Sequence, residues 1–125
     1  SFFIYDFSVD ITKWAEFLDI IREKTKEHGF TVGYGHIGDG NLHVNIVYTK
    51  PEQKEILAKI LEPFAFEWLK EKKGSISAEH GVGVMKPDYL HYSKREPVIE
   101  CMKGIKNIFD PNGILNPYKY LPNQI

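Results

Sequence analysis

The chain of 125 residues carries a single cysteine, Cys101, so an internal disulfide framework is excluded and a reducing compartment fits. It has no surplus of positive charge either. Sixteen lysines and arginines stand against seventeen aspartates and glutamates, for a formal net charge of -1. A nucleic-acid module, which must neutralise phosphates, is not expected from that balance. No apolar run approaches the roughly 20 residues that span a bilayer, and no signal-peptide pattern is present. Internal repeats, low-complexity segments and linkers are lacking as well. What is there is 42% hydrophobic content, enough for one domain around one core. The chain enters a strand directly after Ser1, as a fragment of a longer protein would.

Phe2 to Val9 (FFIYDFSV), rich in aromatic and β-branched residues, reads as a strand. Asp10 or Thr12 caps a following helix whose Ile11, Trp14, Ala15, Leu18 and Ile21 recur at helical spacing, and Gly29 ends it. His28 there favours a helix C-terminus through the dipole. A hairpin over 31–37 and 41–48 comes next. Thr49-Lys50-Pro51-Glu52 fits a capping box for a second helix, with Ile56, Leu57, Ile60, Leu61 and Phe64 as its stripe. Pro63 is expected to kink that helix and Gly74 to stop it. Phe64, Phe66 and Trp68 read as core, and the KEKK run at Lys70 to Lys73 as a solvated helix end. Ser75 to Ala78 is a short strand candidate. Ser93 to Glu96 (SKRE) offers a second capping box, and Val98, Ile99, Met102, Ile105 and Ile108 give a third helix its apolar face, with Cys101 as a buried small hydrophobe and His91 at the surface. The tail FDPNGILNPYKYLPNQI is rich in turn residues. The order β-α-β-β-α-β, then an extra helix and tail, predicts an α+β, ferredoxin-like antiparallel sheet with helices on one face.

Within the hairpin, GYGHIGDGNLHVNIV places two histidines about a glycine-rich turn. With Asp39-Gly40 as a two-residue turn, His36 faces His43 and Tyr34 faces Asn45. All four then share one sheet face, while Ile37, Leu42, Val44 and Ile46 share the other. Opposed residues stand about 5 Å apart, close enough for two imidazoles to reach one metal ion. A solvated sheet face with two incidental histidines is the plainer reading of the same pattern.

A third ligand is available in SAEHGVG. Glu79 is a hard oxygen donor, and two imidazoles with one carboxylate form a catalytic zinc set with an open position. Adjacent residues rarely point at one ion, so Glu79 would ligate while His80 faces the substrate as a base or hydrogen-bond partner. Gly81 and Gly83 permit a tight turn or a close approach. The heptapeptide fits equally a helix-capping Glu79 beside an ordinary loop histidine.

Three segments, GHIGDGNLHVN, GSISAEHGVG and FDPNGILNPYK, together resemble the C-terminal part of the FAD-linked D-2-hydroxyacid dehydrogenases of the vanillyl-alcohol-oxidase type. YGHIGDGNLHVNI, the YSK at Tyr92 to Lys94 and the NPYK ending look most like the members acting on D-2-hydroxyglutarate. Members acting on D-lactate and glycolate share most of these motifs. The resemblance implies that His36, His43 and Glu79 are ligands of zinc or another divalent metal. It also implies that Asn45 binds substrate, that His80 is the catalytic base and that Asn116 lies near the flavin. It further implies an FAD bound mainly by an upstream domain that this chain lacks, with residues 1–125 as the substrate or cap domain. The substrate would be a small 2-hydroxy acid, the electron acceptor a protein or a quinone, the assembly open to a homodimer, and the eukaryotic location mitochondrial. One residue departs from the pattern: Ile4 stands where the family carries a substrate-holding lysine.

Two other classes compete with this reading. A stand-alone hydrolase could use the same two histidines and glutamate, with His80 activating water, although no nucleophile or leaving-group site is evident. A non-catalytic ferredoxin-like interaction domain would retain no metal at all.

Overall fold

The computed structural model describes residues 1–122; the last three residues of the tail lie outside that range. Three strands, β1 (Phe2–Ser8), β2 (Phe30–His36) and β3 (Asn41–Val47), form an antiparallel sheet in the order β1-β3-β2. Helices α1 (Trp14–Thr25) and α2 (Gln53–Glu71) pack against it, and α3 (Glu96–Phe109) follows later. The expected ferredoxin-like α+β arrangement is present with its fourth strand reduced. Ser75 to Ala78 makes only one antiparallel bridge to β1, Ser8 with Ser75. The backbone beyond that bridge does not continue the ladder, because its amides turn to the carboxylate of Asp6 instead.

Alternation along the strands divides the sheet into two faces. Tyr5, Phe7, Leu42, Val44 and Ile46 point inward and are buried with Phe17, Leu18 and Ile21 of α1 and Leu57, Leu61, Phe66, Trp68 and Leu69 of α2. Aromatic rings dominate this layer: Phe17 stacks on Trp68 at 4.4 Å between centroids. Gly33 and Gly35 share the inward face, and their lack of side chains lets α1 lie directly on β2. A Cβ at Gly33 would meet Leu18 at 2.4 Å, and one at Gly35 would stand 2.1 Å from the carbonyl oxygen of Asn41.

Helix starts depart from the expected boxes. Asp10 caps as expected, its Oδ1 accepting from the Thr12 amide at 2.9 Å. Before α2 the side chain of Gln53 does the work, accepting from the amides of Thr49 and Lys50. Ser93 makes no cap; its hydroxyl accepts from the Ile76 amide, tying the α3 approach to the shortened fourth strand. Helix α2 runs unbroken through Pro63.

The third helix corrects two expectations. Of its predicted stripe only Ile99 is buried, in a small second cluster with Val82, Leu90 and Leu121, against which Met102 packs. Val98, Ile105 and Ile108 are exposed, and so is Cys101. The inward sheet face is already covered by α1 and α2, and α3 packs on the small second cluster instead. The tail turns at Asp110, whose carboxylate accepts from the Ile114 and Leu115 amides and pairs with Lys106.

Candidate metal centre and active site

The outer sheet face is built of rungs that cross all three strands. One holds Asp6, His43 and Tyr34, the next Ile4, Asn45 and Val32, and a third Ser8, Asn41 and His36. This register corrects the expected one. The hairpin loop has four residues, 37–40, with Gly40 at φ 72° and the Asp39 carboxylate accepting from the Asn41 amide. His43 therefore faces Tyr34, and Asn45 faces Val32. The displacement is two residues, a whole pleat repeat, so the face assignments of Tyr34, His36, His43 and Asn45 survive. The histidines meet diagonally, with ring centroids 5.4 Å apart and planes near perpendicular. Ile37 lies in the loop and is exposed rather than inward.

Glu79 completes the cluster from the chain beyond the Ser8–Ser75 bridge. Its Oε1 stands 2.9 Å from His43 Nε2 and 3.5 Å from His36 Nε2. One ligand atom from each of the three residues lies within 4.8 Å of the others. Bonds of about 2.0–2.1 Å in tetrahedral geometry separate ligand atoms by roughly 3.3 Å, so the two contacts bracket what a zinc-sized ion requires. Two imidazole nitrogens and one carboxylate oxygen are also the right donor chemistry. His43 is buried, whereas His36 and Glu79 are about half exposed, leaving an open side toward solvent.

His80 lies next to this cluster, its ring 5.4 Å from that of His43 and its Nδ1 3.9 Å from Asp6 Oδ1. Asn45 Nδ2 donates to the Tyr34 hydroxyl at 3.2 Å, and its buried Oδ1 has no partner. Such an orphaned acceptor is costly unless something donates to it. The Asn41 Oδ1 is in the same condition, beside a polar cavity of about 270 Å³ lined by Ser8, Asp39, Ser75, Ser77 and Glu79. Asn116 is not part of this group. It sits in the tail at φ 46° and lines a different cavity with Lys106, Leu115 and Tyr120.

Sequence reasoning missed Asp6. Its side chain is fully buried, and its Oδ2 accepts from the amides of Ala78, Glu79 and His80 at 2.9, 2.6 and 2.8 Å. Its Oδ1 accepts from the Ser77 hydroxyl at 3.3 Å, with Lys86 Nζ 3.8 Å away. The one signal for it was a lone charge within an aromatic strand, on the same alternation as Ile4. His91 is at the surface as expected, and Phe66 and Trp68 are core.

Comparison with known proteins adds the following. The family of C-terminal domains of FAD linked oxidases matches residues 1–120. A probable mitochondrial D-2-hydroxyglutarate dehydrogenase of Oryza sativa subsp. indica is 49% identical over 97% of this chain and 21% of its own length. A mitochondrial D-2-hydroxyglutarate dehydrogenase of Danio rerio is 45% identical over 97% of the chain and 22% of its own. A putative mitochondrial D-lactate dehydrogenase of Schizosaccharomyces pombe is 44% identical over 94% and 22%. The chain thus spans about a fifth of the length of the curated relatives it matches.

Proposed function

Starting from the fact that the chain belongs to the family of FAD linked oxidase C-terminal domains, we propose that it is the substrate-binding domain of an enzyme oxidising a D-2-hydroxy acid to the 2-oxo acid. The flavin site is supplied mainly by the remainder of a longer protein, in keeping with the fifth of their length that the curated relatives share with this chain. Their names support a mitochondrial location and a substrate such as D-2-hydroxyglutarate or D-lactate. Among the described residues no helix is long and apolar enough to cross a membrane.

The observation that carries the reading is the convergence of His36, His43 and Glu79 on one point of the outer sheet face, with His80 and Asn45 beside it. These three residues would hold a divalent ion, zinc by donor set and spacing. A bound ion would supply Lewis acidity to the substrate hydroxyl, and FAD would supply the acceptor for the hydride of the α-carbon. His80, half exposed, takes the hydroxyl proton. Asn45 binds the substrate carboxylate or hydroxyl, with its amide in contact with the Tyr34 hydroxyl. Asn116, on the tail, would lie near the flavin. Ile4 flanks Asn45 on its rung, so a distal carboxylate finds no cation on this strand.

Equilibrium titration with Zn²⁺ tests the site directly. Glu79→Gln and His43→Ala are each expected to weaken binding at least about 100-fold, because each removes one of three protein ligands. In the full-length protein the same substitutions should abolish turnover of D-2-hydroxy acids. Turnover that survives both, or zinc affinity unchanged by either, overturns the reading.

A further inference from the structure

We propose that Asp6 is the positioning residue of this centre, acting through the backbone amides of residues 78 to 80 to hold Glu79 against the two imidazoles. The proposal rests on the metal reading above. Of the three donors, His36 and His43 stand on paired strands, where the ladder fixes them. Glu79 alone stands on irregular backbone. Two glycines with positive φ follow it closely, Gly81 at 81° and Gly83 at 56°, and a Cβ at either would meet open space. Ile76 and Val82 are buried on either side, but Ala78, Glu79 and His80 between them are exposed, so packing does little to restrain these three. The tie comes from one carboxylate, which accepts three consecutive amides and the Ser77 hydroxyl.

The geometry is specific because anchor and ligand occupy one rung. Asp6 is the direct β1 partner of His43, so the distance from its carboxylate to the imidazole is set by sheet pairing. From Asp6 Oδ2 the path runs through one hydrogen bond to the Glu79 amide and then along Glu79's own bonds to Oε1. Asp6 is itself a carboxylate beside the cluster, yet the bonds to Ser77, Ala78, Glu79 and His80 occupy its oxygens. It holds the ligand instead of competing to be one. Lys86, mostly buried, braces the pair: its Nζ donates to the Ile76 carbonyl at 2.9 Å and lies within ion-pair reach of Asp6. A buried carboxylate needs such compensation, and charge-assisted bonds to amides are the strong kind. Partners of ligands that orient them in this way typically govern about 10–100-fold of metal affinity.

Two measurements decide it. In the wild-type, metal-free protein, amide hydrogen exchange at Ala78, Glu79 and His80 should be slowed toward the level of strand amides. Exchange there as fast as in an open loop overturns the proposal without any variant. In Asp6→Asn the zinc dissociation constant should rise about 10–100-fold, with lost protection at these amides regained on zinc saturation. A core variant such as Leu61→Ala, which lowers Tm, should leave zinc affinity alone. Asp6→Asn affinity within about twofold of wild type overturns the proposal. Should Asp6→Asn fail to fold, the wild-type exchange rates decide. If the wild-type protein takes up no zinc, the metal reading fails, and the amide exchange still judges the tie by Asp6.

Discussion

At the scale of single residues, the molecule concentrates its cost in a few buried polar groups. Tyr5 is one of them. Its hydroxyl donates to Glu62 Oε1, and Tyr89 donates to the other oxygen of the same carboxylate. Burial first, and the Glu62 charge second, push the Tyr5 phenol well above its ordinary value of 10.0. A raised folded-state value means that the stability held by the protonated phenol is fully present below pH 10.0 and is lost as pH rises beyond it. Denaturation at about pH 8 and about pH 11 should therefore show a fall in wild-type stability that Tyr5→Phe reduces, Tyr89, also raised by the Glu62 charge, keeping its own share. The variant should start about 1–2 kcal/mol lower, from the lost bond to a charged acceptor. Lys86 is shifted the other way, downward by burial, and its contribution cancels in the comparison. An equal alkaline slope in wild type and variant would show that the phenol is not the group responsible.

At the scale of elements, the hairpin and α1 depend on each other through two glycines. The GYGH segment alternates glycine inward with Tyr34 and His36 outward, so the same four residues make room for α1 and present a ligand. Gly35→Ala forces a Cβ to 2.1 Å from a backbone carbonyl of the partner strand, which no side-chain motion can relieve. It should destabilise by at least about 2 kcal/mol and weaken zinc binding, since His36 is the next residue. Gly33→Ala meets both methyls and the Cγ of Leu18 at 2.4 to 2.9 Å, a side chain rather than backbone. It should cost less and leave zinc affinity near wild type. Urea melts and zinc titrations of both variants check this contrast; equal effects would remove the argument. The element that was hardest to place from sequence is the fourth strand. Ser75 to Ala78 looks like a strand by composition, but Asp6 offers its backbone a stronger set of acceptors than the edge of β1 does. Propensity counts neighbours along the chain, and Asp6 is some seventy residues away.

At the scale of the whole molecule, several large apolar side chains remain uncovered among the described residues. Phe2, Ile4 and Phe30 stand on the outer face beside the candidate centre, and Ile105, Ile108, Phe109, Ile114 and Leu115 on α3 and the tail. Large apolar side chains exposed close together along an element or tail are the kind of surface that another surface covers. It supports the proposal that this chain works as one domain of a larger flavoenzyme. The 125 residues alone are accordingly expected to bind zinc yet to oxidise neither D-2-hydroxyglutarate nor D-lactate when given FAD and an electron-accepting dye. Measurable turnover by the isolated chain would refute that.

What the sequence determined by itself follows from short-range physics. Alternation in GYGHIGDGNLHVNIV placed Tyr34, His36, His43 and Asn45 on one face, and it did so despite a register displaced by two residues, since a pleat repeats every two. Helical spacing found α1 and α2, donor chemistry made Glu79 and His80 candidates, and motif resemblance assigned their roles. The tertiary structure alone decided which residues stand opposite one another, that α3 leaves its stripe and Cys101 in the open, and that Asp6 reaches across to the 77–80 segment. Loop length sets register, competition for a finite core sets burial, and hydrogen bonds between distant segments set where an irregular loop comes to rest. None of these is a property of any window of sequence, and the last is what brings Glu79 to the histidines.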